Sequence, residues 1–194
     1  MRDFGKTGMK IKRVGFGGIP IQRISQEDTN KVIDELEKCG VNFIDTARGY
    51  TVSEEYLGNA LKGRREKFYI ATKSMSRDYE SMKRDIEISL KNLQTDYIDL
   101  YQMHNVKPAE YDTLFGEDKA YRALLEAKEQ GKIKHIGITS HGLETVEKAV
   151  ESDKFETIQF PYNIVENQAD EVFKRAYEKG VGTIVMKPLA GGAI

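Results

Sequence analysis

Cysteine, tryptophan and long apolar runs are scarce or missing in this sequence. Its 194 residues include one cysteine and no tryptophan. A single cysteine excludes an intrachain disulfide and a cysteine-cluster metal site. The three histidines, at positions 104, 135 and 141, lack zinc-motif spacing, so we expect no metal. Met1 opens no secretory signal and no apolar run is long enough to span a bilayer, so we expect a reducing, cytoplasmic location without membrane contact.

An excess of one charge is also absent. The chain has 30 Lys and Arg against 31 Asp and Glu, a formal net charge of −1. This balance provides no broad positive field for nucleic acid or anionic lipid, so neither is expected as a partner. A hydrophobic content of 39% at this length is typical of a globular domain with a sizeable core. We expect one domain over residues 1–194.

Short β-branched runs alternate with longer amphipathic segments along the chain. Met82, Ile86, Leu90 and Leu93 recur at helical spacing and therefore share one helical face. Cys39, near the end of the first predicted helix, is expected to be a small core residue. Seven strands are predicted, at Val14–Gly17, Asn42–Asp45, Phe68–Thr72, Ile98–Tyr101, His135–Ile138, Thr157–Gln159 and Gly182–Val185.

The spacing of the strands favours an α/β fold with a parallel sheet. From the second strand onward, strand starts are roughly 22 to 37 residues apart, which leaves room for a helical crossover and is close to the unit length of a βα barrel. A doubly wound open sheet and a (β/α)8 TIM-type barrel both fit this pattern. The segment Met1–Arg13, with Gly5 and Gly8, predicts a small hairpin before the first strand.

The strand count is one short of a closed barrel. A (β/α)8 barrel needs eight strands and typically about 250 residues, whereas this sequence ends just after the seventh predicted strand. We therefore expect an incomplete barrel of about seven strands, truncated at its C-terminal side, which is either a fragment of a longer enzyme or a truncated product. Unpaired first and last strands would favour self-association through the open edge.

Polar side chains follow three successive strands where each strand ends. Asp45 ends the second strand and Tyr50 follows in the loop, Lys73 follows the third strand, and His104 follows the fourth. In parallel α/β folds these strand ends meet at one edge, where the chemistry collects. Each residue alone also fits an ordinary structural role, such as a barrel-mouth ion pair for Asp45 and Lys73. Their joint placement favours proton transfer.

A role for each of these groups follows from its chemistry. The phenol of tyrosine ordinarily has a pKa of about 10, and an ammonium such as that of Lys73 is expected to lower the pKa of Tyr50. Asp45 would hold the charged lysine in place, and His104 would orient a carbonyl oxygen by hydrogen bonding. This set suits the protonation of an oxygen as hydride reaches the adjacent carbon.

These residues lie in long stretches that resemble the aldo-keto reductase family. Residues 40–50 read GVNFIDTARGY and are followed by Ser53 and Glu54, which matches the family signature GxNxxDTAxxY…SE. Residues 93–104 read LQTDYIDLYQMH, similar to the family segment LxTDYIDLYxxH, and residues 131–138 read GKIKHIGI, similar to the approach to the fifth barrel strand. The resemblance covers nearly the whole chain.

The resemblance implies reduction of an aldehyde or ketone with a nicotinamide cofactor, NADP (NADPH) in preference to NAD. Tyr50 would be the general acid, supported by Lys73 and Asp45, with His104 at the carbonyl of a small-molecule substrate. The cofactor would lie across the barrel mouth. By position, its binding residues would be Gly17 and Gly18 after the first strand, Ser140, His141 and Gln159 at the nicotinamide amide, and the loop Met186, Lys187, Pro188 and Leu189 beside the ring and pyrophosphate.

The sequence departs from the family pattern at two of these positions. His141 stands where asparagine is common, and Met186 stands where many members have an aromatic ring. The residues from Met186 to Gly192 resemble a subgroup whose members often continue into an iron–sulfur extension.

Two other functions stay open: a Schiff-base aldolase with Lys73 as nucleophile, and a nicotinamide-binding regulatory subunit with little turnover. The loop Asn105–Gly116 either lines the substrate pocket or packs its own apolar residues.

Overall fold

The computed structural model describes residues 1–192, in which seven parallel strands form a curled half-barrel with helices. The strands are β1 (Arg2–Asp3), β2 (Lys10–Ile11), β3 (Phe16–Gly17), β4 (Phe43–Asp45), β5 (Tyr69–Ser74), β6 (Ile98–Met103), β7 (Ile133–Thr139), β8 (Thr157–Pro161) and β9 (Gly182–Met186). The helices are α1 (Gln26–Lys38), α2 (Ser53–Ala60), α3 (Tyr79–Leu93), α4 (Ala120–Glu129), α5 (Leu143–Glu151) and α6 (Asp170–Lys179).

The strand order distinguishes the two architectures that the sequence allowed. The seven-stranded sheet runs β3-β4-β5-β6-β7-β8-β9, so consecutive strands are neighbours throughout. A doubly wound sheet reverses its strand order at a switch point, and no reversal occurs among the described strands. The barrel-type prediction is therefore confirmed. Within residues 1–192, β3 and β9 each pair with one strand only. The self-association expected of such an edge stays a prediction.

The N-terminal hairpin closes the bottom of the curled sheet. Strands β1 and β2 pair antiparallel, as predicted, and the turn between them carries Phe4 and Met9, each 4% exposed. Both pack against the inward side chains of Phe43, Ala71 and Leu100. On β9, a Cβ added to Gly182 would lie 2.8 Å from the Phe4 ring. Glycine is required there because the ring occupies the space of a side chain.

A larger core lies between the sheet and the helices. Strand side chains alternate between the barrel interior and the helix side. In α3, Met82, Ile86 and Leu93 are buried and Leu90 packs against the same cluster, which confirms the predicted helical face. Short 3-10 helices at Ile19–Arg23, Arg65–Lys67 and Pro108–Leu114 complete the connections.

Several expectations from the sequence differ from the structure. The first strand of the sheet is shorter than predicted, and Val14 lies outside it with 67% exposure. The prediction that Cys39 is a core residue is wrong: its thiol is exposed at the end of α1. In the loop Asn105–Gly116, Tyr111 and Leu114 are buried in the core, so they pack internally rather than lining a pocket.

Within residues 1–192, no helix combines the length and apolar character needed for a bilayer crossing.

Candidate active site

The C-terminal ends of β4, β5 and β6 bring the predicted catalytic residues to one edge of the sheet. Asp45 is the last residue of β4, Lys73 lies one residue from the end of β5, and His104 follows β6 directly. The parallel register places Lys73 beside Gln102 of β6. The backbone N–H of His104 donates to the carbonyl of Ser74 at 2.8 Å, so β5 and β6 remain hydrogen-bonded to each other as far as His104.

Lys73 and Asp45 form a buried ion pair at the centre of this edge. The Lys73 Nζ lies 2.6 Å from Asp45 Oδ2 and also donates to the backbone carbonyl of Thr46 at 2.7 Å. Lys73 is 2% exposed as a residue. Because a buried charge is costly unless it is paired and hydrogen-bonded, these two acceptors explain how an ammonium is kept here. Its amine is turned toward Asp45 and Tyr50.

Tyr50 lies in the turn between β4 and α2, above this pair. The Tyr50 N–H donates to the Ala47 carbonyl at 3.0 Å, and the Tyr50 carbonyl accepts from the Ser53 N–H at 2.8 Å. The ring centroid of Tyr50 is 5.1 Å from the Lys73 Nζ and 5.9 Å from the ring centroid of His104. The structure therefore brings all four predicted catalytic residues together.

The direction of the shift in the pKa of Tyr50 differs from the sequence-based expectation. Burial, followed by the negative charge of Asp45, raises the pKa of Tyr50 from 10.0 to about 12. The expectation that Lys73 lowers this pKa is therefore wrong. The physical reason is that burial dominates, and the carboxylate of Asp45, which is paired with Lys73, adds to it. At neutral pH the phenol keeps its proton.

His104 is held as a neutral imidazole. Burial, followed by the positive charges of Lys73 and Arg77, lowers the pKa of His104 from 6.5 to about 4. Its Nδ1 has no hydrogen-bond partner among the described residues. A buried polar atom without a partner is uncommon in folded proteins. Nδ1 itself is buried, which leaves Nε2 as the ring nitrogen that could meet a carbonyl oxygen at the mouth.

The side-chain amides of Gln102 on β6 and Gln159 on β8 contact the Asp45 carboxylate. Gln102 Nε2 lies 3.2 Å from Asp45 Oδ1, and Gln159 Nε2 lies 3.4 Å from Asp45 Oδ2. Sequence reasoning selected Gln159 and missed Gln102. The signal was present, because a glutamine at alternate spacing from His104 on a buried strand must face the same interior.

The two glycines after the first barrel strand have different surroundings. An added Cβ at Gly17 would meet nothing within 4 Å, so the backbone there is open to a ligand. At Gly18 the same atom would lie 2.9 Å from Ser53 Oγ and 3.2 Å from the Asp45 carbonyl. Gly18 is buried against the start of α2. Gly17 fits the predicted cofactor contact, whereas the need for glycine at Gly18 is explained by internal packing.

The other predicted cofactor-binding residues follow β7 and β9. The Ser140 hydroxyl is fully buried and donates to the Val106 carbonyl at 2.6 Å, so it has an internal partner. His141 is exposed, and burial together with the charge of Lys187 lowers its pKa. Met186 ends β9, and Lys187, Pro188 and Leu189 follow it as exposed residues. Their contacts with a cofactor stay predictions.

The comparisons with known proteins identify the family of this chain. The model of the Aldo/keto reductase family matches residues 13–194. The chain belongs to the aldo/keto reductase family. Among its relatives are L-galactose dehydrogenase of Arabidopsis thaliana, 29% identical over 100% of this chain and 66% of that protein, and aldo-keto reductase YhdN of Bacillus subtilis, 30% identical over 97% of this chain and 61% of that protein. The chain thus spans less than two thirds of these relatives.

Solved structures of aldo-keto reductases superpose on the same fold. The holo form of aldo-keto reductase AKR11C1 from Bacillus halodurans has a TM-score of 0.88 at 29% identity, covering 98% of this chain and 67% of that chain. An aldo/keto reductase from Brucella melitensis has a TM-score of 0.78 at 26% identity, covering 97% of this chain and 73% of that chain. The half-barrel of this aldo/keto reductase therefore corresponds to the larger part of the barrels in its relatives.

Proposed function

We propose that this chain reduces an aldehyde or ketone to an alcohol with a nicotinamide cofactor, and that Tyr50 is the proton donor. The observation that carries the proposal is the position of the Tyr50 ring, 5.1 Å from the Lys73 amine and 5.9 Å from the His104 ring. Family membership supports the reaction class. When bound, the cofactor supplies a hydride to the carbonyl carbon.

Each side chain has a part in the proton transfer. Tyr50, whose pKa of about 12 keeps it protonated at neutral pH, gives its proton to the carbonyl oxygen as negative charge develops there. The Lys73 ammonium then stabilises the resulting phenolate. Asp45 holds the ammonium in place through the 2.6 Å contact. The neutral imidazole of His104 positions the carbonyl oxygen by a hydrogen bond.

The residues present fit a nicotinamide cofactor at the barrel mouth. The open backbone at Gly17 leaves room for a ligand beside Asp45, its partner in the β3–β4 register. Gln159 and Met186 would contact the nicotinamide, with His141, Lys187, Pro188 and Leu189 at its border. We propose NADPH rather than NADH, following the family resemblance, and the exposed cation Lys187 supports an anionic ligand.

The environment of Lys73 argues against the aldolase alternative. A Schiff-base lysine must present an uncharged amine to the substrate carbonyl. The Lys73 amine is instead bound to a carboxylate and a backbone carbonyl, at 2.6 and 2.7 Å. Borohydride in the presence of a carbonyl substrate should therefore leave no adduct on Lys73.

The test is the oxidation of NADPH and NADH by the purified chain with a panel of aldehydes and ketones. Tyr50→Phe should abolish turnover and leave cofactor binding unchanged. Tyr56→Phe is the matched control, since Tyr56 is also partly buried and lies in the adjacent helix α2. A chain that binds NADPH but oxidises it with no carbonyl compound would instead support the regulatory alternative. Equal turnover by Tyr50→Phe and wild type would remove Tyr50 from the reaction.

A further inference from the structure

Arg48 lies in the turn that connects Asp45 with Tyr50, and its side chain reaches the helices behind the sheet. Its Nη1 donates to Glu54 Oε2 of α2 at 2.7 Å. Its Nε lies 3.9 Å from Asp85 Oδ1 of α3 and has no hydrogen-bond partner among the described residues. The guanidinium is thus placed between two carboxylates, outside the site that binds the substrate.

The carboxylate of Glu54 is buried and joins Arg48 to strand β5. Glu54 is 1% exposed, and its Oε1 accepts hydrogen bonds from Thr72 Oγ1 and Ser89 Oγ, each at 2.7 Å. Thr72 directly precedes Lys73. A buried carboxylate needs a compensating charge, and within residues 1–192 its ion-pair partner is Arg48.

The second carboxylate contacts β5 on the other side of Lys73. Asp85 Oδ2 accepts hydrogen bonds from the hydroxyls of Ser74 and Ser76, the latter at 2.6 Å. Because side chains alternate along a strand, Thr72 and Ser74 point to the helix side while Lys73 points into the barrel. The two residues that flank Lys73 are therefore each bonded to a carboxylate that lies beside Arg48.

The backbone of Arg48 contacts the same strand. Its N–H donates to the carbonyl of Lys73 at 3.0 Å. The turn that carries Tyr50 and the strand that carries Lys73 are therefore connected through Arg48 by its main chain and by its side chain.

We infer that Arg48 is a positioning residue, which with Glu54 and Asp85 fixes the distance between the Tyr50 phenol and the Lys73 amine. The inference rests on the proposed function, since it assigns a role in the same proton transfer. Without the guanidinium, the buried Glu54 carboxylate loses its counter-charge, and the turn loses its side-chain link to β5. A small displacement of a reacting group lowers the rate strongly, by up to about 100-fold for about 1 Å.

A matched pair at the opposite end of the barrel provides the control. Arg65 Nη2 lies 2.7 Å from Asp99 Oδ2, with side-chain exposures of 15% and 10%. Arg65 precedes β5 and Asp99 lies near the start of β6, so this ion pair holds the same strand far from Tyr50. The N···O distance and the burial of this pair are similar to those of the Arg48–Glu54 pair. Unlike Arg48, Arg65 does not lie in the turn that carries Tyr50.

The experiment compares Arg48→Met and Arg48→Lys with Arg65→Met and Arg65→Lys in the purified chain. For Arg48→Met we expect kcat to fall about 30-fold or more, with the KM for the carbonyl and the Kd for NADPH within about two-fold of wild type. The solvent deuterium isotope effect on kcat should rise, because proton transfer becomes slower. Arg48→Lys should recover part of kcat, and Arg65→Met should leave kcat within about two-fold despite a lower Tm.

Two outcomes overturn the inference. One is an unchanged kcat and isotope effect in Arg48→Met; the other is an equal loss of kcat in Arg65→Met, which would reduce Arg48 to a contributor to general stability. If Arg48→Met does not fold, Arg48→Lys and Arg48→Gln take its place in the same comparison.

A readout without turnover separates this inference from the proposed function. Absence of turnover in the wild type contradicts the proposed function alone. The ring resonances of Tyr50, assigned by 13C-tyrosine labelling and Tyr50→Phe, then report its position against His104. They should shift in Arg48→Met and not in Arg65→Met. Resonances that stay unchanged in Arg48→Met would reject the positioning role.

Discussion

The ring planes of Tyr50 and His104 meet at 84°, edge to face, with their centroids 5.9 Å apart. This arrangement places a protonated phenol beside a neutral imidazole. A carbonyl oxygen between the two rings would meet a proton donor and an orienting group together. The following predictions test the charge states and the packing on which that arrangement depends.

The first prediction concerns the acid stability of the fold. The pKa of His104 is lowered from 6.5 to about 4, chiefly by burial, so the unfolded chain binds this proton more readily than the folded chain. Stability therefore falls as pH decreases from about 6.5 and levels off near 4, by about 3 kcal/mol from this group. His104→Gln should reduce that loss in urea titrations at a series of pH values. An equal pH dependence in variant and wild type would contradict a buried neutral His104.

The second prediction concerns the ionisation of Tyr50. Replacing Asp45 by Asn removes one of the two causes that raise the pKa of Tyr50 and leaves Lys73 without its carboxylate. Both changes favour the phenolate, so the pKa of Tyr50 should fall by one unit or more, roughly, in Asp45→Asn. The Cζ resonance of labelled Tyr50 measures this. Asp96→Asn, at an exposed position, should leave it unchanged.

Turnover of Asp45→Asn should fall even though its phenol ionises more easily. Without the carboxylate, the Lys73 amine keeps, among residues 1–192, the Thr46 carbonyl as its one acceptor. The ammonium is then less well fixed beside the phenolate. We expect kcat for carbonyl reduction to decrease about 10-fold or more, by analogy with the loss of an orienting group. A variant that is as active as wild type would show that the ion pair is only structural.

The third prediction separates the two glycines after the first barrel strand. Gly18→Ala places a Cβ 2.9 Å from Ser53 Oγ, so it should lower the free energy of unfolding by about 1–3 kcal/mol. Gly17→Ala meets nothing within 4 Å in the chain itself and should leave stability unchanged. If Gly17 lies under the cofactor, its alanine variant should weaken NADPH binding instead. Thermal unfolding and a titration of NADPH fluorescence measure the two effects, and equal behaviour of the two variants would contradict this division.

The fourth prediction concerns an ion cluster at the bottom of the barrel. Burial raises the pKa of Glu156, but hydrogen bonds from His135, Lys128 and the Ile136 N–H outweigh it and lower the pKa from 4.5 to about 2. This contribution to stability is present above pH 4.5 and is lost as pH falls through 2. Glu156→Gln should cost about 2 kcal/mol at neutral pH, with the difference from wild type vanishing near pH 2. Turnover per folded molecule should be unchanged, since the cluster is far from the mouth.

The sequence predicted the sheet well because its strands are short, β-branched and regularly spaced. All seven predicted strands occur, and the greatest differences are at their ends. Lys73 was expected just after its strand, but β5 continues to Ser74 because the backbone of Ser74 pairs with that of Met103 on β6. The position of such a strand end depends on a residue far away in the sequence, and local β-propensity therefore does not predict it.

The candidate site was predicted as a set of positions but not in its electrostatics. The four catalytic candidates follow strand ends, and parallel strands bring those ends together. The raised pKa of Tyr50 depends first on its burial and then on the Asp45 charge, and burial is set by tertiary packing that the local sequence does not show. The link from Arg48 to Glu54 and Asp85 was also missed, because sequence alone did not distinguish a buried carboxylate from a charge on the solvated face of a helix.

Phe4 and Met9 fill the bottom of the barrel interior, so that end gives reagents no way to Lys73 in the part of the chain that the structure describes. Because Lys73 is 2% exposed, we expect slow acylation of its amine. A compound that binds at the mouth should slow this labelling further. Mass-spectrometric footprinting of one lysine can therefore locate unknown ligands as well as detect them.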